Sequence, residues 1–142
     1  MSVPETLPTV KELKARCAGY IATRVPELDK AYAFEPASLR AYPCTTLLSR
    51  RFDAAQAETG PHDDMTYEWR LRLYVQLTDY ERAQDEIDTL IPLILDVPRH
   101  HFTMEGDVDA LVFYDLGTEI VFSAADGWAA KDLVARIVRT EL

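Results

Sequence analysis

The feature that most constrains this sequence is the alternating segment at residues 67–77, YEWRLRLYVQL. Its odd-numbered positions are apolar and its even-numbered positions are polar or amphipathic. This period of two is typical of a β-strand with one buried face. The segment is roughly twice as long as an average strand. We therefore predict that it forms the central strand of a sheet.

The residues directly after this strand change to a helical period. Thr78 can cap a helix N-terminus, and Glu81, three residues later, can bond back to the cap amide. An apolar stripe with charged residues on the opposite side follows; its members are Tyr80, Ala83, Ile87, Leu90, Ile91 and Ile94. Pro92 removes one backbone donor, so the helix is expected to kink there or to end near Ile91. The pattern predicts a helix lying across the apolar face of the sheet.

The segments before this strand predict one helix and two further strands. Thr9 and Glu12 repeat the cap-box spacing and Pro26 stops a helix, which indicates helix one at residues 9–24. Alternating or β-branched residues predict strands at 30–34 and 43–53. Residues 54–66 are polar, contain a Gly-Pro breaker and have no period, so a long loop is predicted there. Loops of this length are commonly functional or disordered, and we expect it to make contacts in an assembly.

The last third of the chain predicts three strands. Residues 108–116 and 118–124 indicate a tight hairpin about Gly117. The pattern at 128–142 fits both a strand and a helix, and we favour the strand because the hairpin offers an edge to join. The predicted order is α-β-β-β-α-β-β-β, an α+β fold with two helices packed on a mainly antiparallel sheet. All 142 residues are expected to form one domain.

The composition restricts the class of protein. The chain is 48% hydrophobic and 27% charged and has no apolar run of the roughly 20 residues that a membrane helix needs. The first residues lack a secretory pattern, so a soluble protein made and kept in the cytosol is expected. Cys17 and Cys44 have no CxxC spacing and are expected to be buried thiols. The net charge of −9 argues against a surface that binds nucleic-acid phosphates.

No segment carries a recognisable catalytic or metal-binding motif. His62, Asp63 and Asp64 lie in the predicted loop without further ligands at a known spacing. The adjacent His100 and His101 would point in opposite directions in an extended segment. The acidic residues at 105, 107 and 109 lack the spacing of a calcium loop, and those of the second helix fit a solvated face. We therefore predict no enzymatic activity and no cofactor.

The order of elements and two sequence patterns resemble the tail-terminator proteins of long-tailed bacteriophages. The patterns are the strand YEWRLRLYVQL and the helix motif D-x-x-x-A-x-x-x-I-D-x-L, formed by Asp79, Ala83, Ile87, Asp88 and Leu90. The resemblance implies a small α+β subunit of a homohexameric ring in the virion neck. Such a ring caps the finished tail tube, meets the head-side connector or stopper protein, and lets DNA pass through its lumen without specific binding. The resemblance implies no catalytic residues.

Two alternatives stay open beside this interpretation. One is a neighbouring neck or tail-completion protein. The other is a small-molecule-binding regulatory α+β domain, which needs a pocket with convergent polar groups.

Two groups of residues are candidates for contacts in a ring. Contacts between subunits or with partners are expected at Arg50, Arg51, Arg70, Arg72, Glu58, His62, Asp63 and Asp64. An acidic wall would prevent DNA phosphates from binding as DNA slides through the bore. Candidates for this lumen-facing wall are Asp79, Glu81, Asp85, Glu86, Asp88, Glu105, Asp107 and Asp109.

Overall fold

A six-stranded sheet with two long helices on one face forms the framework of the protein. The computed structural model describes the backbone of residues 8–56 and 63–141 and the side chains of residues 8–50 and 65–140. In chain order the elements are α1 (Val10–Arg24), β1 (Lys30–Ala31), β2 (Cys44–Gln56), β3 (Asp63–Gln76), α2 (Tyr80–Leu95), α3 (Val97–His100), β4 (Ala110–Tyr114), β5 (Val121–Ser123) and β6 (Trp128–Glu141). The α+β class is confirmed, whereas the predicted order lacked the short α3. Within the described ranges, no helix is both long and apolar enough to cross a membrane.

β3 and β6 form the middle of the sheet. The strand order is β1-β2-β3-β6-β4, and β5 also pairs with β6. β3 pairs with β6 in antiparallel fashion from Asp63 to Gln76 and has β2 on its other side. The predicted central position of β3 is therefore confirmed. The segment at 128–141 is a strand, as favoured, but it lies inside the sheet and not at an edge.

The sheet is mixed, which corrects the prediction of a mainly antiparallel one. β1 joins β2 in parallel, with Lys30 opposite Cys44 and Ala31 opposite Thr45. The other described pairs are antiparallel. The alternating residues at 30–34 indicated a strand but not its direction, because the direction depends on the path that residues 32–43 take before β2.

The predicted hairpin about Gly117 is wrong. β4 and β5 each pair with β6 and not with each other, as the positions of Phe113 opposite Ala135 and Phe122 opposite Ala129 show. Gly117 has a φ of 76°, a conformation that suits a turn and favours glycine. The chain does not turn back at Gly117. Because β6 is 14 residues long, it pairs with the two short strands at separate positions.

The segment predicted as a long loop is mostly strand. β2 continues to Gln56 and β3 begins at Asp63, so both strands extend into residues 54–66. The alanines and polar residues there concealed the strands, since the apolar alternation is weak outside the core. Residues 57–62, where the expected assembly contacts of the loop remain, lie outside the described part of the chain.

A side chain caps the N-terminus of each of the two long helices. The Thr9 hydroxyl accepts a hydrogen bond from the Glu12 amide at 3.1 Å, as predicted. In α2 the cap is Asp79 and not Thr78, and its carboxylate accepts a hydrogen bond from the Glu81 amide at 2.9 Å. Aspartate is a strong N-cap because its negative charge also favours the positive end of the helix.

α2 also continues beyond its predicted end. It runs through Pro92 to Leu95, so the predicted stop near Ile91 is not observed. Ile94 is fully buried in this last turn. We infer that its packing compensates for the backbone donor that the proline lacks, because tertiary packing supplies most helical stability in proteins.

The helices cover one face of the sheet and enclose the main core. β3 contributes its odd-numbered side chains Met65, Tyr67, Trp69, Leu71, Leu73 and Val75. α1 contributes Leu13, Cys17, Ala18 and Ile21, and α2 contributes Ala83, Ile87, Leu90 and Ile94. Each large side chain that is fully buried contributes about 1.5–3 kcal/mol, so this core is the main source of stability.

Successive residues of β2 point to opposite faces of the sheet. Leu47 faces the main core, whereas Leu48 points to the opposite face and is 42% exposed.

Cys17 and Cys44 are both buried free thiols, as predicted, but they lie in different clusters. Burial raises the pKa of the Cys17 thiol to about 12, so this thiol is protonated and unreactive at neutral pH.

Candidate functional site on the helix-free face of the sheet

The sheet face opposite α1 and α2 is polar along its centre. Directly opposed residues of an antiparallel pair point to the same face, so the even-numbered residues of β3 and β6 form cross-strand rows. The rows are Glu68 opposite Arg136, Arg70 opposite Val134, Arg72 opposite Asp132 and Tyr74 opposite Ala130. We call this surface the helix-free face; it also includes Cys44, Thr46, Leu48, Val112, Tyr114 and Val121 from the neighbouring strands.

A bidentate ion pair occupies the centre of the helix-free face. Arg72 Nε donates to Asp132 Oδ1 at 2.6 Å, and Arg72 Nη2 donates to Asp132 Oδ2 at 3.0 Å. This paired geometry is the one in which a guanidinium group binds a carboxylate most strongly. The hydrogen bonds to Asp132 raise the pKa of Arg72 above its ordinary value, although burial opposes this. The two side chains are only partly exposed, so solvent screens the pair incompletely.

Glu35 reaches the helix-free face from the segment between β1 and β2. Its carboxylate accepts a hydrogen bond from Tyr74 Oη at 2.5 Å and from Arg70 Nη2 at 3.2 Å. Burial works to raise the pKa of Glu35, but the hydrogen bond from Tyr74 and the charge of Arg70 help to hold it below its ordinary value. The ionised carboxylate therefore fastens this segment to β3.

Exposed apolar side chains lie at the margins of the charged rows. Leu48 is 42% exposed, Val112 is 40% exposed and Val121 is 45% exposed. Leu116 is also exposed and lines a shallow depression beside Arg70. Single exposed apolar residues are common on protein surfaces. These residues lie on either side of the charged rows, so the face is a candidate contact surface only together with those rows.

A pocket of about 360 Å³ lies at one end of the helix-free face. Its lining consists of Glu35, Pro36, Ala37, Ser38, Leu39, Tyr42, Tyr74, Asp126 and Trp128. The rings of Tyr74 and Trp128 meet edge to face with their centroids 5.0 Å apart. Two carboxylates and three aromatic rings thus converge on one space, and none of the described lining residues is a lysine or arginine.

The arginines predicted to make partner contacts have different surroundings. Arg70 and Arg72 lie on the helix-free face, and each already contacts a carboxylate of its own chain. Arg50 is exposed, at the point where the β2–β3 register shifts between Ser49 and Arg51. The contact role of these arginines in an assembly stays a prediction, and Arg50 is the best placed of them for it.

The other predicted contact residues are only partly described. The backbone of Arg51 lies in β2, and the backbones of Asp63 and Asp64 lie in β3, whereas their side chains are not described. Glu58 and His62 lie outside the described residues. Their roles therefore stay predictions.

The predicted lumen-facing acids of α2 lie together on its solvent side, where the exposed Arg82 is the only cation of the helix. Exposed carboxylates belong to Asp79, Glu81, Asp85 and Asp88, and Glu86 is half-buried beside them. We call these five residues the acidic surface of α2. Asp79 also caps the helix. The others lie on the solvent side of the helix, as the amphipathic pattern predicted.

The second group of predicted lumen-facing acids makes bonds within the chain. Asp107 pairs with Arg16 of α1, and Glu105 accepts a hydrogen bond from the Tyr20 hydroxyl. Asp109 accepts a hydrogen bond from the Thr140 hydroxyl at 2.8 Å. These three acids therefore help to fasten the segment after α3 to α1 and β6, and the acidic surface of α2 is the better candidate for a bore.

The histidines after α2 are also engaged within the chain. His101 stacks on Tyr20 with the ring centroids 3.8 Å apart, and His100 lies 3.5 Å from an oxygen of Asp96. Burial and the positive charge of Arg24 lower the pKa of His101. Among the described residues, no group of three or more His, Cys, Asp or Glu side chains is arranged to hold a metal ion.

Glu35, Asp132 and Tyr74 are members of this site that the sequence did not indicate, as are the pocket residues Tyr42, Asp126 and Trp128. Glu35 stands alone in a short segment without a period, and Asp132 lies in the segment whose pattern was ambiguous. Tyr74 was recognised only as an amphipathic position of β3. A useful signal was available for Asp132, because a charged residue inside an apolar strand needs a partner of opposite charge.

Comparisons with known proteins add no relative. No family model matches the chain, and no curated protein matches it significantly. The features that bear on function are therefore the helix-free face, the acidic surface of α2 and the pocket.

Proposed function

We propose that this chain is a structural subunit that forms a homohexameric ring, the tail terminator of a long-tailed bacteriophage. The ring would cap the tail tube and join it to the head-side connector protein. The observation that supports this proposal best is the helix-free face, which combines exposed apolar residues with charges that are already balanced. α1 and α2 both lie on the other side of the sheet and leave this face available for a second copy.

The charge balance of the helix-free face favours association of like chains. The carboxylates of Glu35, Glu68 and Asp132 are matched by the guanidinium groups of Arg70, Arg72 and Arg136. In a ring, this face of one copy would meet a different surface of the next copy. Because the charges of this face are balanced, it avoids the repulsion expected between chains of net charge −9. Burial of Leu48, Val112 and Val121 would then supply a favourable free energy of about 25 cal/mol per Å² of apolar surface.

The acidic surface of α2 supports the proposed channel through which DNA would pass. If the helix-free face of one subunit meets a surface of the next other than α2, the acidic surface of α2 stays free. Carboxylates repeated around a bore repel the phosphates of passing DNA, whereas clustered arginines would retain them. The tail-terminator role thus assigns one side of the sheet to neighbouring subunits and the other to the channel.

Light scattering during size-exclusion chromatography tests the ring. The expected mass is six times the 16.1 kDa of one subunit. Val112→Asp or Leu48→Asp should shift the protein to monomers, because each places a charge in the apolar part of the contact. Leu93→Asp is the matched control, since Leu93 lies on α2 and is 40% exposed, as Val112 is.

Assembly with tail-tube protein tests the specific role. The wild-type protein should limit the length of tubes seen by electron microscopy, and Val112→Asp should not. A ring that binds the connector protein but leaves tube length unchanged would favour a neighbouring neck protein. A monomer at all concentrations, with no effect on tubes, would overturn the proposal.

A further inference from the structure

We infer that the pocket at the end of the helix-free face binds an organic cation, an alkyl ammonium or guanidinium group on a short chain. This inference does not require that the ring forms. It concerns the pocket lined by Glu35, Tyr42, Tyr74, Asp126 and Trp128. The convergent polar groups that a small-molecule site needs are present there.

The lining matches such a cation in three ways. The carboxylates of Glu35 and Asp126 provide negative charge, and the rings of Tyr42 and Trp128 provide aromatic surface that attracts cations. The Tyr74 ring already has the Arg72 guanidinium 5.7 Å from its centroid. Pro36 and Leu39 add apolar walls for an alkyl chain. The volume of about 360 Å³ lies near the lower end of ordinary ligand sites, which favours a small ligand.

The pocket carries a net negative charge. Glu35 shares its charge with Arg70, whereas Asp126 accepts a hydrogen bond from the Ser123 hydroxyl at 2.7 Å and has no ion pair with Lys or Arg in the described part of the chain. Burial, then Cys44 and the charge of Asp126, raise the pKa of Tyr42. A cation would neutralise this charge, whereas an anion would be repelled.

An organic cation fits the lining better than a metal ion. Hard cations such as Ca²⁺ require about six or more oxygen ligands, and Mg²⁺ requires an octahedral set. Only two carboxylates line the pocket, and one of them already binds Arg70 and Tyr74. Aromatic rings supply no ligand to a hard ion but stabilise an alkylated or planar cation.

The same chemistry has two possible sources. One is a free amine or guanidine, and the other is the lysine or arginine side chain of a neighbouring protein chain in an assembly. Both would place the positive group between Asp126 and the aromatic rings. The experiment therefore first identifies the chemistry and then distinguishes the source.

NMR titration of the tryptophan indole N–H signals tests the chemistry. The chain has two tryptophans: Trp69 is buried in the main core and Trp128 lines the pocket. In the monomeric Val112→Asp variant, arginine amide should shift the Trp128 signal in a saturable way and leave the Trp69 signal unchanged. Citrulline amide is the matched probe, because it has nearly the same shape without the charge, and it should produce no saturable shift.

Variants locate the site. Asp126→Asn should weaken the binding of arginine amide about tenfold or more, since it removes the unpaired charge. Tyr42→Leu should weaken binding by removing one ring. Asp88→Asn, on the acidic surface of α2, removes an equal charge elsewhere and should leave binding unchanged. Unaltered amide spectra away from the pocket would show that each variant is folded.

The assembled protein distinguishes the two sources. If a neighbouring chain supplies the cation, the ring should not bind arginine amide, whereas the monomeric Val112→Asp variant should bind it. If the ligand is a free molecule, ring and monomer should bind it equally. The inference would be overturned if citrulline amide shifted the Trp128 signal as strongly as arginine amide, or if neither ring nor monomer responded to arginine amide.

Discussion

The helix-free face and the acidic surface of α2 lie on opposite sides of the same sheet and hold their charges differently. On the helix-free face, carboxylates such as Asp132 contact guanidinium groups such as Arg72, and the charges cancel. On α2, Asp85 and Asp88 are exposed beside further acids, which outnumber Arg82 and give this surface a net negative charge. The net charge of −9 is therefore a poor description of either surface. In the proposed ring, one side would face another copy of the chain and the other would repel polyanions.

The two surfaces should also differ in whether a substitution changes the stability of the fold or the interactions of the protein. Exposed charges contribute little to the free energy of unfolding, because water and salt screen them. A partly buried ion pair contributes little in total, but removing one partner leaves the other charge poorly solvated. Substitutions on the two surfaces should therefore differ in their effects on unfolding, assembly and DNA binding.

The largest expected effect compares two leucines on opposite sides of the sheet. Leu71 is fully buried beneath the helices, whereas Leu48 lies on the helix-free face and is 42% exposed. Leu71→Ala should lower the free energy of unfolding by about 2–5 kcal/mol through lost burial and a cavity. Leu48→Ala should lower it by less than about 1 kcal/mol. Urea unfolding of the monomeric protein measures both changes in the free energy of unfolding. Equal losses of stability would contradict the assignment of the helix-covered face as the core side of the sheet.

The next effect concerns the bidentate ion pair. Asp132→Ala should lower the free energy of unfolding by about 1–3 kcal/mol, because Arg72 is left partly buried without its carboxylate. Asp88→Ala is the matched control on α2 and should change it by no more than about 0.5 kcal/mol. The same urea measurement applies. An Asp132 variant as stable as the control would show that the pair is screened like a surface pair.

Two elements show how far the sequence could predict this structure. β3 and α2 were predictable because each repeats one period over many residues. The ion pairs were not, because Arg72 and Asp132 are 60 positions apart and Arg70 and Glu35 are 35 apart. Local patterns carry no information about such pairings, which depend on the sheet register. The hairpin prediction failed for the same reason, since a local turn could not indicate that β6 pairs with both strands.

A smaller effect should appear in the pH dependence of stability. The pKa of Glu35 in the folded protein lies below its ordinary value of 4.5. Its contribution is therefore fully present above about pH 4.5 and is lost as the pH falls through the lower, folded pKa. Wild-type protein should lose more stability than Glu35→Gln over this acidic range. Thermal unfolding between neutral and acidic pH measures it, with Glu81→Gln on α2 as the exposed control.

Parallel stability curves for wild-type protein and Glu35→Gln would mean that Arg70 and Tyr74 do not stabilise the Glu35 carboxylate. The comparison of the two surfaces would then lose one of its paired charges. The Arg72–Asp132 pair would be unaffected by that result.

The smallest effect on folding is expected on the acidic surface of α2. The double substitution Asp85→Asn and Asp88→Asn should leave the free energy of unfolding within about 0.5 kcal/mol of wild type. It should nevertheless permit weak, salt-sensitive binding of duplex DNA to the ring, because phosphates meet less repulsion. Fluorescence anisotropy with a labelled duplex measures this. Tight DNA binding by the wild-type ring at physiological salt would exclude an acidic bore.

The central position of β6 has a consequence for how the protein is made. β3 pairs with β6 along its whole length, yet α2, α3, β4 and β5 lie between them in the chain. On the ribosome, one edge of β3 therefore keeps its N–H and C=O groups unpaired until residues 128–141 emerge. An open edge of this kind can pair with the same strand of another nascent chain. The yield of correctly folded protein then depends on translation speed and on chaperones that shield β3, and not only on the stability of the finished fold.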